Sequence, residues 1–199
     1  MNLKYWDRYT KDTNYEIYSK VIKLLPKNSK IKILDVGCGS GEFESLLKAN
    51  NFEHVIGVDI SKKRLEIAKR KNPKYIYGIV DIENGMPFKE NVFDYVIAIE
   101  VLEHVKSPYN LLKEMLCVSK SYIILTTPNA FWVELRISPE KVSESVFHHI
   151  TESDLKNLVK KFNVKIECFD YVFGDLAFLR NFLPRYFASK FIIKLKKEE

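Results

Sequence analysis

An apolar run that empties into three closely spaced glycines, Ile33-Leu-Asp-Val-Gly37-Cys-Gly39-Ser-Gly41, constrains this chain more than any other segment. Such a run reads as a strand buried on both faces, and a helical pattern starts directly after it at Glu42 and Phe43. A strand entering a glycine turn that opens a helix sets backbone N–H groups and a positive helix end against a ligand. Glycine is needed there because a Cβ would block close approach or clash where φ is positive. The dinucleotide fingerprint is G-x-G-x-x-G, whereas this spacing is G-x-G-x-G with Asp35 just ahead of it. A pyrophosphate calls for a bare positive loop; Asp35 suits a ligand that carries an ammonium group.

The rest of the chain alternates short apolar runs with longer helical patterns. Strands are predicted at 31–36, 54–59, 75–80, 93–99 and 122–126, with helices at 42–49, 64–71 and 109–118 between them. Ser61 is placed to cap the second of these helices. Strand-helix alternation is the pattern of right-handed βαβ units and a parallel, doubly wound α/β sheet. Ahead of it, Tyr5 to Leu25 reads as a helix with Tyr15, Tyr18, Val21, Ile22 and Leu25 as its apolar stripe, ended by Pro26. Later, Thr151-Glu-Ser-Asp154 reads as a capping box opening a helix, followed by strands at 164–173 and 191–195. With no repeat and no linker, residues 1–199 form a single domain. Within it, 1–26 is the N-terminal helix, 129–150 a variable segment and 174–190 an apolar insert before the last strand.

The 46% hydrophobic and 29% charged fractions fit one substantial core and exclude fibrous and wholly disordered classes. Three cysteines at wide spacing, Cys38, Cys117 and Cys168, argue against a disulfide framework and fit the reducing cytoplasm. Cys38 reads as a small buried filler, not a nucleophile. The net charge of +6 comes from 26 lysines and 6 arginines, scattered among acids. Nucleic-acid readers lean on the planar Arg fork, so most of these lysines read as solvated helix faces and a nucleic-acid partner is disfavoured. No stretch is long and apolar enough for a transmembrane span.

Two further acids stand in register with the glycine loop. Asp59 ends the second strand, where a carboxylate can accept both hydroxyls of a ribose. Asp81-Ile82 follows the third strand, where the carboxylate can accept from an adenine amino group while Ile82 packs the ring. Acids after successive strands, all at one carboxyl edge, describe a crevice at a topological switch point. The ligand that fits is an adenosine with an amino-acid end.

These segments, with Gly57-Val-Asp-Ile60, Met86-Pro-Phe88, Phe93-Asp-Tyr-Val96 and Glu100-Val-Leu-Glu-His104, resemble the class I S-adenosylmethionine-dependent methyltransferases. Within that family they resemble the small single-domain group that includes the ubiquinone-biosynthesis O-methyltransferases. The resemblance covers about Asp35 to Asn129 well. It implies a Rossmann-like, seven-stranded, mostly parallel sheet whose last strand is antiparallel. It also implies S-adenosyl-L-methionine as cofactor, with Gly37 and Gly39 under the methionine end, Asp59 at the ribose, Asp81 at the adenine, and Asp35 and Gly41 in the same site. Ile60, Ile82, Ile99 and Glu100 would complete that site. The N-terminal helix, with Tyr5-Trp6, would fold over the cofactor as a lid in many relatives.

Catalysis falls to Glu100, Glu103 and His104. A helix starting just after the fourth strand would put all three on one face. Two carboxylates and an imidazole there suit Mg²⁺ or Mn²⁺, with His149 as a further ligand, as in the RNA 2′-O-methyltransferases that this run also resembles. The alternative is His104 as a base or substrate contact beside Glu103, without metal. The reading is methyl transfer to oxygen of a small-molecule acceptor. Its rivals are metal-dependent RNA 2′-O-methylation and a catalytically silent cofactor-binding protein. Between the last two strands, Phe178, Leu179, Phe182, Leu183, Tyr186 and Phe187 recur at helical spacing. That stretch is expected either to pack on the sheet edge or in a homodimer contact, or to wall an apolar acceptor pocket.

Overall fold

The computed structural model describes residues 13–28, 30–131, 146–173 and 188–198. The first three strands are β1 (Lys32–Val36), β2 (His54–Asp59) and β3 (Ile76–Ile79); then come β4 (Phe93–Ile99), β5 (Ser119–Pro128), β6 (Val164–Val172) and β7 (Lys190–Lys197). The helices are α1 (Thr13–Lys23), α2 (Glu42–Ala49), α3 (Lys62–Lys71), α4 (Pro108–Val118) and α5 (Glu152–Val159), with 3-10 turns at Ile82–Asn84 and Leu102–His104. All seven strands join one sheet in the order β3-β2-β1-β4-β5-β7-β6. The strands from β3 across to β5 pair in parallel, and β7 runs antiparallel to both β5 and β6. The Rossmann-like sheet with an antiparallel last strand is therefore present.

Four of the five residues of β1 are buried, because helices cover both faces of the sheet. On one face Ile17 and Val21 of α1, and Phe43 and Leu47 of α2, pack on Ile33, Ile97, Ile124 and Ile192. On the other, Leu112 and Met115 of α4 and Leu155 of α5 pack on Val96, Ile123, Leu125 and Phe191. Caps fix where these helices begin. Ser61 accepts from the N–H of Arg64 and Ser107 from that of Asn110, and Thr151 with Asp154 forms a complete capping box.

The chain leaves β1 toward β2 and β3 and then returns across β1 to β4. That reversal opens a crevice at the carboxyl ends of β1 and β4, above the glycine loop.

Three elements differ from expectation. The buried positions on α1 are Ile17 and Val21, one helical turn apart, with Leu25 buried just past its end, while Tyr15 is turned to solvent at 64% exposure. Strand β5 starts at Ser119, before its apolar run, where Ser119 pairs with Phe93 of β4, and it runs on to Pro128, which pairs with Lys190 of β7. Strand β7 starts at Lys190, one residue ahead of the expected 191, and runs on to Lys197; within it Lys194 spans the Tyr122 ring at 4.4 Å and pairs with Glu167 at 3.1 Å. Tyr5-Trp6, residues 132–145 of the variable segment, and 174–187 of the apolar insert, with Phe178 and Phe182, lie outside the described residues. Among the described residues no helix is long and apolar enough to cross a membrane.

The α1 register can be checked by urea titration. Ile17→Ala is expected to cost about 2–5 kcal/mol as a core truncation, and Tyr15→Ala to stay within about 0.5 kcal/mol.

Candidate functional site

The loop leaving β1 is built from left-handed glycines: φ is 73° at Gly37, 58° at Gly39 and 80° at Gly41. The first and last are closed in. A Cβ on Gly37 would lie 2.5 Å from Val101 Cγ2, and one on Gly41 would lie 2.9 Å from Ala68 Cβ. Gly39 is different. Its Cβ position has the Arg64 guanidinium at 4.0 Å as its nearest neighbour, so the backbone there faces open space. This is a cradle into which a ligand can come close. The loop is held against β2 by the N–H groups of Gly37 and Cys38, both donating to the Val58 carbonyl. Cys38 is buried, and burial pushes its thiol far up, away from any nucleophilic role.

Asp59, 7% exposed, accepts from the N–H of Gly39 at 3.0 Å with one carboxylate oxygen and from that of Ser61 at 2.7 Å with the other. Each oxygen keeps a second lone pair, so the same carboxylate can still take a hydroxyl. Asp81 accepts from the N–H of Glu83 and the side chain of Asn84, capping the turn that follows. Ile60 is 66% exposed and Ile82 and Ile99 are half-buried. An exposed isoleucine at the end of a core strand is a flat apolar surface at the same edge as the cradle.

Glu100, Glu103 and His104 do not share the face of a helix. Glu100 takes φ 57° at the end of β4 and donates its N–H to the Thr126 carbonyl, and the chain then makes only a 3-10 turn. The three side chains accordingly part. Glu100 pairs with Lys190 at 2.7 Å. Glu103 is 3% exposed and accepts from Thr127 Oγ1 at 3.2 Å. Burial, with the Glu100 charge nearby, holds its carboxyl well above the usual range. His104, a quarter exposed, has Nε2 3.8 Å from Glu103 Oε1. His148 contacts the Lys106 carbonyl at 3.2 Å, and His149 is exposed. Among the described residues, no three His, Cys, Asp or Glu side chains converge as a metal site, so Glu100, Glu103, His104 and His149 do not fit one ion.

A family model described as a methyltransferase domain matches residues 9–168. The chain belongs to that family, the S-adenosylmethionine-dependent methyltransferases. The methyltransferase is 31% identical over 186 residues to an uncharacterized protein of Methanocaldococcus jannaschii, covering 92% of this chain and 73% of that protein. It is 33% identical over 155 residues to the mitochondrial ubiquinone biosynthesis O-methyltransferase of Candida albicans, covering 67% of this chain but only 46% of that relative. Its fold matches an S-adenosylmethionine-dependent methyltransferase of Mesorhizobium loti with a TM-score of 0.74 at 17% identity, over 94% of this chain and 98% of that one.

The methyltransferase also places in its site residues that sequence reasoning passed over. Lys190 reaches Glu100 from β7, and Thr126 and Thr127 at the end of β5 contact Glu100 and Glu103. Glu44, on α2, is fully buried beneath the loop. Only Glu44 had a readable signal, the glycine at position 57 in the middle of β2. Gly37→Ala is expected to destabilise by more than the ~1–3 kcal/mol of a strained left-handed residue, because it also meets Val101. Gly39→Ala should cost the strain alone, and urea titration of both separates the two effects.

Proposed function

We propose that this methyltransferase moves a methyl group from S-adenosylmethionine to a hydroxyl oxygen of a small-molecule acceptor. The observation that carries the reading is the cradle: a left-handed glycine facing open space at the end of β1, with acids at the ends of β2 and β3 on the same edge. The residues fit the cofactor. Asp35 would hold its amino-acid end over the open backbone at Gly39, Asp59 its ribose, and Asp81 with Ile60 and Ile82 its adenine, with Ile99 and Glu100 at the floor. Bound there, the cofactor supplies an electrophilic methyl group on a positively charged sulfur. The protein's part is to orient, to exclude water and to handle the acceptor's proton.

His104 would take that proton. A proton gained by its imidazole 3.8 Å from Glu103 favours the ionised form of that carboxyl, against the burial that disfavours it. The likeness to an O-methyltransferase of ubiquinone biosynthesis supports oxygen as the acceptor atom. Three unpaired thiols support a reducing, cytoplasmic setting.

Calorimetry is expected to show one site for S-adenosylhomocysteine, weakened by about 1.5–3 kcal/mol in Asp59→Ala through the lost charged hydrogen bonds. Absence of binding at millimolar ligand would sink the reading. With labelled S-adenosylmethionine and fractionated small metabolites, His104→Ala should lower turnover by about 10²–10⁴ while affinity for S-adenosylhomocysteine holds. Label appearing in RNA instead would move the acceptor to a ribose 2′ hydroxyl. Binding without transfer to any fraction would leave a silent cofactor-binding protein.

A further inference from the structure

At one level of the sheet Asp35, Gly57 and Tyr77 stand side by side on β1, β2 and β3. Side chains alternate along a strand, so Asp35 shares the face of Ile33, the face that α2 covers. Gly57 leaves a gap between its two neighbours, and Glu44 of α2 fills it. A Cβ on Gly57 would lie 2.5 Å from Glu44 Oε1, 2.9 Å from Cys38 Sγ and 2.9 Å from Tyr77 Cε1. Glu44 is 0% exposed and Asp35 2%, and neither oxygen of Glu44 has a hydrogen bond of ordinary geometry. The titratable groups facing the pair are Cys38, Asp59 and Glu42, with the phenols of Tyr18, Tyr75 and Tyr77. None of these is a cation. Lys71 is drawn off to Glu42 at 2.6 Å, and the Arg64 guanidinium lies by Gly39.

Two carboxyls so close and so dry cannot both ionise, and their protons leave in steps that belong to the pair. We propose that Glu44 is a positioning residue for the cofactor's amino-acid end: it shares a proton with Asp35, and the single negative charge of the half-ionised pair holds the ligand's ammonium group at the glycine loop. This rests on the reading that the loop takes the methionine end of S-adenosylmethionine. Burial drives both carboxyls up, Asp35 well above its ordinary range and Glu44 to about 7, so the pair gains its charge around neutrality. A pair holding two protons is neutral; losing one makes it attract the ammonium. Affinity therefore rises with pH through that step, and ligand binding releases a proton.

The test is calorimetry with wild-type protein and two probes. S-Adenosylhomocysteine is expected to bind at least about fivefold tighter near pH 8 than near pH 6, with proton release when buffers of different ionisation enthalpy are compared. 5′-Methylthioadenosine, which lacks the amino-acid end, should bind equally at both. Glu44→Gln, shown folded by its thermal melt, should bind S-adenosylhomocysteine with a flat profile. Equal affinity of wild type for S-adenosylhomocysteine at the two pH values overturns the proposal, as does a Glu44→Gln profile that keeps the wild-type slope. If the variant does not fold, the comparison of the two probes on wild type decides. No binding of S-adenosylhomocysteine at any pH would instead overturn the cofactor reading itself.

Discussion

The Asp59 carboxylate takes the N–H of Gly39 with one oxygen and the N–H of Ser61 with the other, so the loop after β1 and the start of α3 are tied to the same end of β2. Left-handed backbone persists only where its surroundings over-determine it. Here the surroundings are specific. Val58 holds Gly37 and Cys38 from one side, while Asn72 Nδ2 and Ser45 Oγ both donate to the Gly41 carbonyl from the other. With both ends of the loop fixed, the start of α2 is fixed too. That in turn delivers Glu44 to the gap over Gly57. One carboxylate at a strand end thus governs the shape of the cradle and the placement of the charge beneath it.

The opposite wall of the crevice is arranged by ion pairing. Glu100 is the last residue that β4 holds in place, and its partner Lys190 comes from the far end of the chain on β7, both being largely shielded from water. Glu103, next along the turn, faces inward to Thr127. This distribution explains why three ligand-type side chains close in sequence do not point at one centre. Glu100 and Glu103 are committed to different neighbours, and the imidazole of His104 lies beside Glu103 a quarter exposed.

Much of the fold was legible because most of the strands are flanked by helices and so read as unbroken apolar runs. The helix starts were marked by Ser61 and Thr151, whose side chains can do little else at those positions than cap. Where reading failed, tertiary contacts had overruled local pattern. The polar start of β5 is strand because Ser119 pairs with Phe93 of β4, and Lys190 joins β7 because it stands opposite Pro128 of β5 and reaches Glu100. The turn after β4 stays 3-10 because Glu100 is bound back to Thr126. The glycines and the acids of the cradle were visible from spacing; their electrostatic floor showed only as the glycine at position 57. Glu44 falls in an amphipathic helical pattern where a glutamate ordinarily faces water, and only the missing side chain at Gly57 makes room for it.

The sheet order carries a consequence for how the molecule assembles. Among the described residues β6 pairs only with β7, which inserts between β5 and β6 although it follows both in the chain. The parallel half that holds the cradle can form from early, local βαβ units. The antiparallel half cannot close until β7 arrives. Until then β6 and the outer edge of β5 present unpaired backbone, an arrangement prone to wrong pairing. Closing such distant contacts is slow, since chain entropy is lost before the new hydrogen bonds form. Lys190 sits on that same strand, so the Glu100 wall of the crevice is incomplete until β7 has paired.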